Sequence, residues 1–243
     1  MRNKDNFITT PKRENNDQIS EFITVIIFEK SSNLKFKTTN FPFIKYNGKS
    51  LLEKQIEIIN SSFKNVEIIF VCNNTYSLKI FEYIKKQKYS NVRIIENANF
   101  NITNCCESIR LGINNTFNNK LLIIPEDILL PSCVLKSINI NSNNVLVCDH
   151  NDDNNFEIGA IINYEKLENL TIGIKQNYWT EMLFLGIEKS IKELREILFT
   201  DNFKNKLFFE AVNKLNSNQT IEIIKTSQCA KLNNAKTLKR VNS

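Results

Sequence analysis

Four consecutive apolar residues, Leu121-Leu122-Ile123-Ile124, stop at Pro125 and are followed at once by Glu126 and Asp127. An unbroken apolar run of this length, bounded by a breaker, predicts a strand buried on both faces. Burial on both faces needs a sheet covered by helices on each side, which already narrows the chain to an α/β layout. Open sheets of this kind bind ligands at the carboxyl ends of their strands. Asp127 therefore sits where a metal or phosphate site is expected. The alternative is that Glu126 and Asp127 cap the turn into the segment 128–135.

Three further runs fit the same plan. Phe22–Phe28, Val66–Cys72 and Val92–Ile95 read as strands. Between them Ser50 caps a predicted helix to about Phe63, with Leu51, Leu52, Ile56, Ile58 and Ile59 on its apolar side. A second helix is predicted over 77–87, and a third runs from a cap at Thr103 or Asn104 to about Phe117. Strand and helix alternating three times predict a mostly parallel sheet with right-handed crossovers. The loop after the first strand has no Gly-x-Gly-x-x-Gly, so the dinucleotide fingerprint is absent. The second half adds a strand at 144–150, a hairpin-like pair at 159–164 and 170–174, and strands at 179–186 and 219–225. It also adds helices at 188–198, 202–215 and 234–241. Residues 1–20 are polar, with Pro11 and no period, and read as a flexible arm ahead of one domain over 21–243.

Composition removes several function classes. The net charge of +6 suits an anionic small molecule but forms no clustered stripe, so no specific nucleic-acid binding is expected. The apolar runs are too short to span a bilayer, and the first residues carry no apolar signal core. A cytoplasmic protein is expected. One histidine, His150, nearly excludes His-based triads and His-rich metal sites. The six cysteines form no CxxC pair and read as reduced thiols, several of them in the core.

The order of these pieces resembles the sugar-phosphate nucleotidyltransferases, an α/β family of Rossmann-like three-layer α/β/α build with a mostly parallel mixed sheet. The likeness to the cytidylyl- and uridylyltransferases covers about residues 22–241. Four stretches carry it: Asn47-Gly48-Lys49-Ser50-Leu51-Leu52-Glu53 at the first helix; Asn97 to Ile109, including Asn104 and Ser108; Ile123-Ile124-Pro125-Glu126-Asp127; and Leu232 to Leu238. The resemblance implies transfer of a nucleotidyl group from a nucleoside triphosphate to a sugar phosphate or phosphocholine-like acceptor. It implies Mg²⁺ on Asp127 and Asn233, a pyrimidine base on Asn104 and Ser108, and Glu210 near the acceptor. Mg²⁺ keeps several waters, so one Asp and one Asn are enough. The residue types have plainer readings too: an N-cap for Asn104, a solvated hydroxyl for Ser108, a solvated helix position for Glu210 and a turn for Asn233.

The sequence departs from the family in the loop after the first strand. There the family places glycines, an arginine and a lysine whose amides and charges hold the triphosphate. Glu29 to Lys37 contains neither glycine nor arginine, and the family lysine falls at Phe41. Lys35, Lys37 or Lys45 could supply the charge from nearby, and Lys35 and Lys45 are the expected catalytic cations. The apolar Phe36, Phe41 and Phe43 in this loop motivate the alternative of a catalytically silent relative, a pseudoenzyme serving as a regulatory, scaffold or structural subunit, in a viral assembly for example, with protein partners.

Overall fold

A computed structural model describes residues 19–30, 41–149 and 156–232. Of the expectations above, most of the N-terminal arm, Lys35, Lys37, His150, Asn233 and the helix at 234–241 lie outside these residues.

The first half alternates as expected. It comprises β1 (Ile19–Phe28), β2 (Lys45–Tyr46), β3 (Lys49–Ser50), α1 (Leu51–Ser62), β4 (Phe63–Cys72), α2 (Asn74–Gln87), β5 (Val92–Glu96), α3 (Cys105–Asn114) and β6 (Leu121–Pro125). β7 (Ile128–Leu129), α4 (Ser132–Lys136), β8 (Asn143–Cys148), β9 (Ile158–Asn163), β10 (Lys166–Ile172) and β11 (Tyr178–Leu185) follow. The described chain ends with α5 (Glu188–Phe199), α6 (Phe208–Asn216), β12 (Ile221–Thr226) and β13 (Ala230–Lys231).

Nine strands form one sheet in the order β5-β4-β1-β6-β11-β8-β12-β10-β9. β5, β4, β1 and β6 are parallel. β11 then runs antiparallel to both β6 and β8, making the sheet mixed. β6 is buried at all five positions, as a strand between two neighbours and two helical layers must be. The period-2 alternation of β1 divides the core: Ile26 and Phe28 face α3, α5 and α6, while Val25 and Ile27 face α1, α2 and α4. This is a three-layer α/β/α fold.

The helix starts are set by local polar side chains. Ser50 Oγ accepts from the Glu53 N–H at 3.2 Å, and Asn73 Oδ1 accepts from the Thr75 N–H at 2.7 Å. Each satisfies an amide that a helix N-terminus leaves without a partner.

Several features differ from the sequence reading. The helix expected at 202–215 begins at Phe208, with a single 3-10 turn at Asp201–Phe203 before it. The Glu210 carboxylate accepts the Leu207 N–H at 2.8 Å, which fixes the start of α6. α3 stops at Asn114 rather than Phe117, because Thr116 Oγ1 bonds Thr24 Oγ1 at 2.6 Å and draws the chain out toward β1. Glu126 and Asp127 do not cap a helix, since α4 starts after Pro131. Instead β7 pairs antiparallel with β13, Ile128 opposite Lys231 and Leu129 opposite Ala230.

Candidate functional site

The carboxyl ends of β1 and β6 lie side by side, with Phe28 opposite Pro125. The next residues are Glu29 and Lys30 on one strand and Glu126 and Asp127 on the other. Leaving two parallel strands at the same level, they gather four charged groups at the top of the sheet. The Glu126 N–H donates to the Phe28 carbonyl at 3.0 Å, and the Leu232 N–H to the Asp127 carbonyl at 2.7 Å. The second bond brings the C-terminal segment to the site. Asn233 is the next residue in sequence.

Asp127 is almost fully buried, and neither of its carboxylate oxygens has a hydrogen-bond donor. Burying a carboxylate without donors is costly, so the position requires compensating charge. Lys30 Nζ, 3.6 Å from Asp127 Oδ2, supplies part of it. Lys30 is hydrogen-bonded to Glu181 Oε1, and Lys231 Nζ reaches the same oxygen at 2.7 Å. Burial disfavours the ammonium of Lys30, but Asp127 and Glu181 outweigh it and raise its pKa above the ordinary lysine value. Burial likewise works against ionisation of Glu181. Lys231 and Lys30 outweigh that and hold its pKa at about 2. The Lys231 ammonium also lies 5.4 Å from the centroid of the Phe156 ring.

Glu181 lies in a β-bulge. Its backbone is in the left-handed region at φ 65°, and the register with β8 shifts between Trp179 and Leu183. A bulge re-aims side chains relative to the regular pleat. This one is tied down by Trp179 Nε1 donating to the Met182 carbonyl at 3.0 Å and Thr180 Oγ1 donating to the Leu146 carbonyl at 3.0 Å. Trp179 packs against Phe208 in the core, with ring centroids 5.4 Å apart.

The other two acids are of a different kind. Burial pushes Glu29 up to about 7, partly opposed by the Asn73 N–H. Its carboxylate accepts from that N–H at 2.8 Å and from Asn73 Nδ2 at 2.7 Å. Burial first, then Glu29 and Asp127, raise Glu126 well above the usual carboxylate range. Its Oε2 is buried without a donor.

Gln55, on α1, fixes the turn that presents Asp127. Its Nε2 faces the carbonyls of Glu126 at 3.0 Å and Ile128 at 2.8 Å, with Pro125 more distant at 3.4 Å. Gln55→Leu is expected to strand these buried carbonyls and lower stability by about 2 kcal/mol, read as a shift in the urea midpoint at unchanged m-value.

The sequence-expected residues are placed as follows. Asn104 caps α3, with Oδ1 accepting the Cys105 N–H at 2.8 Å. Ser108 is buried rather than solvated, and its Oγ accepts from Asn97 Nδ2 at 3.1 Å. Glu210 is committed locally, to the Leu207 N–H and, at 2.8 Å, to Lys206 Nζ. Lys45 is exposed on β2, opposite Ser50 of β3. Phe43 stacks edge-on against Tyr83 with centroids 5.8 Å apart, so it packs on the fold instead of standing out from it. Sequence reasoning did not single out Glu29, Lys30, Glu181 or Lys231 as site residues. Two signals were available: Glu29-Lys30 breaks an apolar run at the same point as Glu126-Asp127 does, and Glu181 is the one charge inside Tyr178–Leu185.

Among the described residues no group of three or more His, Cys, Asp or Glu side chains could hold a metal ion. The described residues thus form no site closed by such ligands alone. This leaves the Mg²⁺ style of binding, in which one carboxylate suffices beside waters and phosphates. The two donor-less oxygens of Asp127 fit such an ion. No described helix is long and apolar enough to cross a membrane.

No family model matches the sequence, and no curated protein does either. Solved structures do match. The Streptococcus pneumoniae CTP:phosphocholine cytidylyltransferase LicC superposes with a TM-score of 0.74 at 14% identity, over 92% of this chain and 98% of its own. The inositol-1-phosphate CTP transferase from T. maritima gives 0.71 at 12% identity, over 93% and 96%. The nucleoside-diphosphate-sugar pyrophosphorylase from Vibrio cholerae RC9 gives 0.66 at 14%, over 90% and 98%. The chain has the fold of the nucleotide-sugar nucleotidyltransferases along nearly its whole described length.

Proposed function

We propose that the carboxyl end of the sheet around Asp127 binds a nucleoside triphosphate with a divalent cation, and that the protein transfers the nucleotidyl group to a small phosphorylated acceptor. The observation that carries this reading is the buried Asp127 carboxylate without a hydrogen-bond donor, at the strand end where this fold places ligands. The similar structures transfer cytidylyl groups to phosphocholine or inositol 1-phosphate, and that acceptor chemistry is extended here to this chain.

In this reading Asp127 holds the cation, and Asn233, directly after Leu232, is its partner ligand. A bound divalent ion would draw charge from the phosphates during displacement at the α-phosphorus. The chain's own part is positioning. Asn104 and Ser108 at the start of α3 take the pyrimidine, with Asn97 orienting Ser108. Lys35 and Lys45 remain candidates for phosphate contact, and Lys30 joins them. Glu210, held by Lys206 and the start of α6, is the acceptor-side acid. The proposed setting is cytoplasmic.

Titration calorimetry with each nucleoside triphosphate and Mg²⁺ tests binding, and pyrophosphate release with phosphocholine or sugar phosphates tests turnover. Release with a pyrimidine nucleotide, reduced at least about a hundredfold by Asp127→Ala, is the expected result. No heat with any nucleotide at millimolar concentration would remove the reading.

A second reading is favoured by one observation: an ammonium, that of Lys30, already accompanies Asp127. In it the fold is kept as a pseudoenzyme, a regulatory or structural subunit acting through protein partners. A stable assembly by light scattering, with no pyrophosphate release, is its expected signature. A strict monomer with turnover eliminates it.

A further inference from the structure

The Asp127 carboxylate is shared with a cation of the chain itself. Lys30 Nζ stands 3.6 Å from Asp127 Oδ2, close enough for strong attraction but beyond hydrogen-bond length. Its hydrogen bond goes to Glu181 Oε1, which also takes Lys231 Nζ. Two ammonium groups thus converge on one carboxylate oxygen while the neighbouring carboxylate has no donor. The arrangement is built into the backbone: Glu181 reaches it through a bulged residue in the left-handed region, and Lys231 through the β7–β13 pairing beside Asp127.

We propose that Lys30 is a tethered competitor of the divalent cation at Asp127, held in reserve by Glu181, and that Lys231 tunes the hold by sharing the same oxygen. This rests on Asp127 being the metal ligand. A unit charge about 4 Å from a divalent ion weakens its binding by roughly tenfold or more even at the dielectric of water. A lysine stem is flexible, so Lys30 yields to an arriving cation by moving fully onto Glu181. The free protein therefore holds divalent ions weakly. Nucleotide phosphates, by giving Lys30 another anion, make ion and nucleotide bind together. Lys30 then sets the metal requirement of the site without being a metal ligand.

The test is Mn²⁺ binding to the full chain, read by the loss of free-ion EPR signal, with no turnover needed. Lys30→Met is expected to bind Mn²⁺ at least about tenfold more tightly than the wild type. Glu181→Gln is expected to bind it several-fold more weakly, because Lys30 then has Asp127 as its remaining carboxylate. Opposite signs from two changes at one contact are not what general loosening of the fold produces. Equal affinity in wild type and Lys30→Met, with loss of binding in Asp127→Ala, overturns the competitor and leaves the metal site standing. Unchanged binding in Asp127→Ala, or no binding by any variant at millimolar Mn²⁺, overturns the site and the competitor together.

Discussion

Glu181→Leu is expected to cost about 3 kcal/mol of folding stability, because it removes the carboxylate from two largely buried ammonium groups at once. Lys231 loses its 2.7 Å partner, and Lys30 is left with Asp127 at 3.6 Å. Leucine fills much of the volume, so the loss comes from stranded charge rather than from a cavity. For a chain of this size the melting temperature should fall by about 6–12 °C. Adding Lys30→Met should restore part of the loss, since it removes one of the stranded charges. The pH dependence provides a second check. The Glu181 pKa is depressed to about 2 from an ordinary 4.5, so its contribution is fully present above about pH 4.5 and is lost as pH falls toward 2. The gap between wild type and Glu181→Leu should therefore narrow across that window. A gap as wide at pH 2.5 as at pH 7 would show that the carboxylate charge is not what stabilises the site.

Glu29 produces the opposite slope. Its pKa is raised from an ordinary 4.5 to about 7, because burial penalises its charged form. The folded state keeps its proton where the unfolded chain has released it. The stabilisation is full below about pH 4.5 and is lost as pH rises through about 7. A shift of this size corresponds to up to about 3 kcal/mol between pH 4.5 and pH 8. Glu126, raised by the same burial and by its acidic neighbours, adds to the slope. Glu29→Gln cannot ionise and keeps an acceptor for the Asn73 N–H. It should flatten the fall in urea midpoint from pH 5 to pH 8 and be more stable than the wild type at pH 8. If the two proteins lose stability in parallel over this range, Glu29 is not the titrating group.

The contrast between these acids shows what a strand-end carboxylate becomes in different company. For Glu29 and Glu126 burial prevails, in Glu126 despite the attraction of Lys30. Glu181 is somewhat less buried than either and receives two ammonium groups, so charge prevails. All of these residues are ordinary in sequence, and Lys and Glu are common in the chain. Their ionisation states follow from which strand ends are brought together.

The layout of the first half was legible because it depends on local causes. Leu121–Ile124 is too apolar to face water on either side. Ser50 and Asn104 are cap residues next to apolar periods, and both cap helices. The strand-end position of Asp127 followed from Pro125 ending the run. Those features fix a three-layer α/β sheet whatever the rest of the chain does. The bulge at Glu181, the seating of Lys30 and Lys231 on one oxygen and the grip of Gln55 on the 126–128 turn were decided only in three dimensions. The last two join residues from 50 to 151 positions apart. Strand periodicity reports which way a side chain points along its own strand, but it carries no information about which strand lies next to it. Neighbouring strands supply the partners of a buried charge, and only the assembled sheet makes them neighbours.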